Sequence, residues 1–150
     1  MSATPASQAR SFHLDAPLAK VFPLFTPIGE RSWVPGWEPT ILSGCEERGT
    51  VFRTHAHGTP DTTWIVTEYR PLAGVVSYAR LAQDSNIGLV DVICTEARSG
   101  GTNVNVRYTL TSLCESGQEF VNGFLSEDHY AKMIEEWRVA TNAALLLQAL

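Results

Sequence analysis

The sequence predicts an α+β domain in which a curved antiparallel sheet of about seven strands wraps around one long C-terminal helix, with two short helices after the first strand. Three observations carry this expectation. From Pro39 onward, six runs rich in β-branched and aromatic residues follow one another across short turns. Connections this short join antiparallel neighbours, because a parallel crossover needs a dozen or more residues. The last segment then carries an apolar stripe at helical spacing, too long for a flat sheet face to bury.

Taken in order, Ser11 to Asp15 alternates as a short first strand, and residues 1–9 before it are expected to form a flexible tail. Pro17 suits a helix start, Asp15 offers a cap, and Leu18, Val21, Phe22 and Phe25 recur at helical spacing. Residues 26–37 hold Pro27, Gly29, Pro35 and Gly36 around Ile28, Trp33, Val34 and Trp37, which predicts one short helix closed by a tight Pro-Gly turn. Strands are expected at 40–44, 50–57, 62–70, 75–81, 87–98 and 102–113. Residues 116–150 place Phe120, Phe124, Met133, Ile134, Trp137, Ala144 and Leu145 on one helical stripe, with Glu135, Glu136 and Arg138 off it. Gly123 and the run Ser126-Glu127-Asp128, a cap followed by two acids, predict a kink or restart inside that helix.

Composition narrows the function classes. At 150 residues one domain is the default, and 44% hydrophobic against 18% charged residues lies far from the signature of disorder. Eleven Lys plus Arg against sixteen Asp plus Glu give a net charge of −5 with no basic stripe, which argues against nucleic-acid binding. Cys45, Cys94 and Cys114 lack metal-ligand spacing and read as reduced thiols, which fits a cytoplasmic protein. No segment approaches the length of a membrane span or a signal peptide. The chain also lacks a G-x-S-x-G elbow, a P-loop, a G-x-G-x-x-G loop and an H-E-x-x-H pair, so hydrolysis, phosphoryl transfer and hydride transfer lose support and no cofactor is expected.

Four segments stand out within this element order: Phe12-His13-Leu14-Asp15-Ala16-Pro17 leading into Val21-Phe22, the run from Glu30 to Pro39, Thr63-Trp64-Ile65-Val66-Thr67-Glu68-Tyr69, and Trp137 in the last helix. Together with the element order they resemble the SRPBCC superfamily, the START, Bet v 1 and polyketide-cyclase-like helix-grip proteins. The resemblance covers nearly the whole chain, and none of these segments is a catalytic signature. It implies a deep apolar cavity between sheet and last helix that holds a small hydrophobic molecule, lipid-, polyketide- or aromatic-like. Two alternatives stand beside it: a cyclase, dehydratase or aromatase, and a regulatory partner-binding domain whose vestigial cavity is filled by its own aromatic side chains. A homodimer is left open.

Within that frame Trp33 and Trp37, flanking Pro35-Gly36, form either a gate at the cavity mouth or ordinary packing on the sheet rim. Trp64, Val66 and Glu68 share one strand face; the first two argue that it points inward, leaving Glu68 as a polar group inside or a carboxylate at the rim. Phe52, Tyr78, Val92, Tyr108, Met133 and Trp137 complete the expected lining, with Glu68, Tyr78 and Tyr108 as acid and base candidates for an enzyme. A three-residue turn Ser99-Gly100-Gly101 sets Val92 opposite Tyr108, Cys94 opposite Val106 and Val90 opposite Leu110, all inward; a two-residue turn would instead carry Asp91 inward, where an unpaired carboxylate is costly. His55 and His57 lie on one side of their strand without a third ligand nearby, so no metal is expected there.

Overall fold

The computed structural model describes residues 5–55 and 61–149. Its strands are β1 (Ala6–Leu14), β2 (Thr40–Ser43), β3 (Val51–Thr54), β4 (Thr62–Arg70), β5 (Val75–Ala82), β6 (Asn86–Glu96) and β7 (Thr102–Ser112). Its helices are α1 (Leu18–Val21), α2 (Glu115–Phe124) and α3 (Glu127–Gln148). All seven strands form one sheet in the order β1-β7-β6-β5-β4-β3-β2, antiparallel at every pairing. Among the described residues, no helix is long and apolar enough to cross a membrane.

Several boundaries differ from the sequence expectation. Residues 6–9, expected in the tail, belong to β1, where Ala6 faces Leu110 and Gln8 faces Tyr108. Alternation is weak in this stretch, but β7 offers a complete row of backbone partners, and pairing satisfies backbone groups whatever the side chains. After α1 the chain tightens into a 3₁₀ turn at Phe22–Phe25, with Pro23 in its first turn. Proline has no N–H to continue an α-helical ladder. The expected second helix is a single 3₁₀ turn, Gly29–Ser32, started by Thr26, whose hydroxyl donates to the Pro23 carbonyl (2.9 Å) and accepts from the Gly29 N–H (3.0 Å).

Two register details decide which side chains face inward. Between Val66 and Glu68 the pairing of β4 with β5 shifts by one, so that Val66 faces Tyr78 while Glu68 faces Ser77. This bulge at Thr67 turns the rest of β4 over. The β6–β7 hairpin closes on Arg98-Ser99-Gly100, with the Gly100 N–H on the Ala97 carbonyl and the Ala97 N–H on the Gly101 carbonyl, both at 3.0 Å. Gly100 has φ 99°, the left-handed position a three-residue hairpin needs. The turn thus has the expected length but sits one residue earlier, and Val90 faces Tyr108, Val92 faces Val106 and Cys94 faces Val104. The shift amounts to two positions in partner, so the inward and outward faces survive and Asp91 lies outward opposite Arg107.

The C-terminal segment restarts where the cap signal stands: Leu125 ends α2, and the Ser126 hydroxyl accepts from the His129 N–H at 3.4 Å to open α3. Tyr130, Ile134, Thr141 and Ala144 form the buried stripe of α3. The Tyr130 hydroxyl donates to the Val106 carbonyl at 2.8 Å, tying the helix to the concave face of the sheet.

Candidate ligand cavity

Between β3–β7, α3 and the turn after α1 lies a cavity of about 550 Å³. One wall is a set of edge-on and stacked aromatic rings. Phe52 stacks on Trp64 (5.8 Å, 2° between planes), Trp37 meets Trp64 edge-on at 5.9 Å, and Tyr78 meets Trp64 edge-on at 5.9 Å. The opposite wall joins Trp33 to Trp137 at 5.0 Å and Trp137 to Tyr108 at 6.4 Å. Such tilted and offset pairs are the arrangements that ring quadrupoles favour.

The local chain explains why these rings hold still. The Trp33 indole N–H donates to the Leu24 carbonyl at 2.6 Å, that of Trp37 to the Pro27 carbonyl at 2.8 Å, and that of Trp64 to the Thr54 hydroxyl at 2.9 Å. Between the first two, Val34-Pro35-Gly36-Trp37 forms a turn closed by the Trp37 N–H on the Val34 carbonyl (3.1 Å), with Gly36 at φ 72°. Proline then glycine suits this turn, since the third residue must adopt positive φ. Both tryptophans line the cavity, Trp33 buried and Trp37 half-buried, so each packs on the rim and also borders the cavity.

Of the sequence-expected residues, Trp33, Trp37, Phe52, Trp64, Tyr78, Val92, Tyr108, Met133 and Trp137 line this space. Two expectations are corrected. Val66 is fully buried in the core but does not reach the cavity wall. Glu68 is turned outward by the Thr67 bulge and pairs with Arg70 at 2.8 Å, so it is no polar group of the interior. The vestigial, self-filled cavity is corrected as well, since the rings stand around the space and leave it open.

Polar groups that sequence reasoning passed over also line the cavity, Glu30, Arg80 and Glu136 among them. Arg80 carried a usable signal: it lies two residues after Tyr78 on one strand, hence on the same face. Glu30 had none, because its position depends on how the 3₁₀ turn docks. Glu30 is half-buried at the cavity wall, and burial pushes its carboxyl well above the usual carboxylate range. Burial likewise raises the phenol of Tyr78, whose hydroxyl donates to the Phe25 carbonyl at 2.5 Å, with the nearby Glu30 adding to the shift. The Tyr108 phenol is pushed up to about 12 by burial, partly offset by Arg80. Cys94 is buried on the concave face and its thiol is pushed up to about 12 by desolvation, so it packs as a small apolar group.

His55 is exposed and pairs with Asp61 at 2.5 Å, while His57 lies outside the described residues. Among the described residues no three His, Cys, Asp or Glu side chains gather as a metal site.

No protein-family model and no curated protein sequence matches this chain. Solved structures do. Ara h 8.0201 superposes with a TM-score of 0.68 at 15% identity, covering 95% of this chain and 96% of its own. Norcoclaurine synthase from Thalictrum flavum, in complex with dopamine and hydroxybenzaldehyde, gives 0.69 at 9% identity over 97% of this chain and 88% of its own. The Zhui aromatase/cyclase from Streptomyces sp. R1128 gives 0.64 at 19% identity over 97% and 94%. At these identities the agreement concerns the path of the chain: a seven-stranded antiparallel sheet closed around a long C-terminal helix is the helix-grip fold of the SRPBCC, Bet v 1-like proteins, and this chain has that fold.

Proposed function

We propose that the protein binds a small, largely apolar molecule in the cavity between the sheet and α3. The observation that carries this reading is the open space of about 550 Å³ walled by aromatic rings. That volume lies within the range of about 300–1,000 Å³ common for ligand pockets. Three of the four indole N–H groups are already bonded to the protein, so the walls offer a ligand flat apolar surface more than hydrogen bonds. A conjugated or aromatic body suits such a surface. The experiment is a titration of tryptophan fluorescence with neutral 2-naphthamide, on the native chain and on Ala140→Phe, which fills the cavity from α3. Saturable quenching in the native chain, lost in a folded Ala140→Phe variant, is expected; no saturation, or equal binding by both, would sink the reading.

A second reading, an enzyme of the cyclase or dehydratase kind, draws on Glu30. A carboxyl at the cavity wall, near the phenols of Tyr78 and Tyr108 and with a raised pKa, is placed to move a proton on a bound carbonyl compound. Exchange of the methyl protons of 2-acetylnaphthalene for solvent deuterium, followed by NMR, tests it. Acceleration by the native chain that disappears in Glu30→Gln supports the enzyme; a rate equal to that in buffer removes it.

A further inference from the structure

Arg80 brings a largely buried charge to the cavity that has no ion-pair partner among the described residues. Arg80 lies on β5 with its guanidinium carbon 5.4 Å from the centre of the Trp64 ring, and Nη1 donates to Oδ1 of the buried Asn86 at 3.1 Å. Its neighbour across β6 is Gly88, which has no side chain to answer it. Nε is closed off from solvent and has no hydrogen-bond partner among the described residues. Every Asp and Glu of the chain lies within the described residues, and none forms an ion pair with Arg80. Glu30 and Glu136 border the same cavity, but Glu136 is exposed, and burial favours the neutral form of Glu30. A guanidinium keeps its charge even when burial lowers its pKa, as it does here. Folded proteins pair their buried charges, so a cation left with an amide oxygen and a ring face leaves a place for an anion from outside.

We propose that Arg80 receives a carboxylate of the ligand, which makes the ligand class an amphipathic one: a flat apolar body against Trp37, Phe52 and Trp64, with its acid group at the β5 end. The inference rests on the cavity being a ligand site and goes beyond it by assigning charge and orientation. With Nη1 taken by Asn86 and Nε closed off, Nη2 is the guanidinium nitrogen left to donate to a carboxylate oxygen. The guanidinium carbon stands over the Trp64 ring, whose negative face favours a cation there.

The test compares 2-naphthoate with 2-naphthamide, which share a ring body and differ in charge, by titration calorimetry on the full chain and on Arg80→Gln. The native chain is expected to bind naphthoate at least about tenfold more tightly, and Arg80→Gln to erase that preference while holding naphthamide within about threefold. Binding of the amide alone, equal binding of both, or a preference that survives Arg80→Gln would overturn the assignment and leave the cavity reading standing. Binding of neither would overturn the cavity reading and this inference together. Should Arg80→Gln fail to fold, the native chain still decides through its arginine Nη–H resonances. Naphthoate, and not naphthamide, is expected to shift one arginine's Nη–H signals strongly downfield, and the absence of that shift would overturn the assignment.

Discussion

The two halves of the concave face are built from the same alternating strands and end up in opposite states. Along β1 and β7 the inward side chains Phe12, Val104, Val106 and Leu110 are buried away from the cavity, and α3 lies closest to β1, with Tyr130 and Ile134 sealed in the core. Along β3, β4, β5 and β6 the inward side chains Phe52, Trp64, Tyr78, Arg80, Val90 and Val92 border the cavity. What differs is the element opposite. One long helix covers one side of a curved sheet, and Met133, Glu136, Trp137 and Ala140 reach across from it toward the other. The filled half therefore carries stability through packing, and the hollow half gives up packing for accessible aromatic and charged surface.

Truncation should expose this contrast most strongly. Ile134→Ala, in the filled half, is expected to cost about 2–5 kcal/mol in denaturant unfolding, because it opens a new void in a close-packed region. Met133→Ala, one residue away but bordering the cavity, should cost less than about 2 kcal/mol, since it enlarges a space that already exists. Equal losses would erase the distinction between the halves. Next in size, Tyr130→Phe should cost about 1–3 kcal/mol by leaving the Val106 carbonyl without its donor. An unchanged denaturation midpoint would mean that the hydroxyl tie contributes nothing.

In the hollow half the expected sign reverses. Folding raises the pKa of Glu30 by burial, so the folded state resists its ionisation. Below the ordinary carboxyl range the group is neutral in both states and costs nothing; as pH rises above that range the unfolded chain gains the charge first, and stability falls. Glu30→Gln should accordingly raise the melting temperature at pH 8 and leave it nearly unchanged at pH 4. A gain of equal size at both values, or a loss at pH 8, would contradict the raised pKa of Glu30. The smallest effects belong to the convex face: Asp91→Asn and Glu68→Gln should each stay within about 0.5 kcal/mol. A loss of more than about 2 kcal/mol at Asp91 would show that the β6–β7 faces are reversed.

Strand alternation, turn residues and the amphipathic last segment were legible without any structure, because each is a local property with a fixed period. They placed Phe52, Val92 and Tyr108 inward, predicted the restart at Ser126, and kept Val92 inward even though the turn sits one residue earlier than expected. Two positions apart on a strand is still the same face, so an error of two in partner leaves the sidedness intact. An error of one does not. The bulge at Thr67 sends Glu68 outward, and no residue in the run Trp64 to Tyr69 announces it. Backbone satisfaction along β7 likewise drew residues 6–9 into the sheet against a weak side-chain pattern.

The sequence by itself thus determined the order of elements, the faces of most strands and the aromatic character of the interior. Tertiary structure alone decided how much of that interior stays empty and which charges border it. The physical reason is that a side chain's face follows from neighbours two or four residues away, whereas the space in front of it depends on elements far along the chain. Glu30 reaches the cavity because its 3₁₀ turn docks beneath Trp33, whose indole is fixed on the Leu24 carbonyl, and Arg80 stays unpaired because β6 sets a glycine beside it.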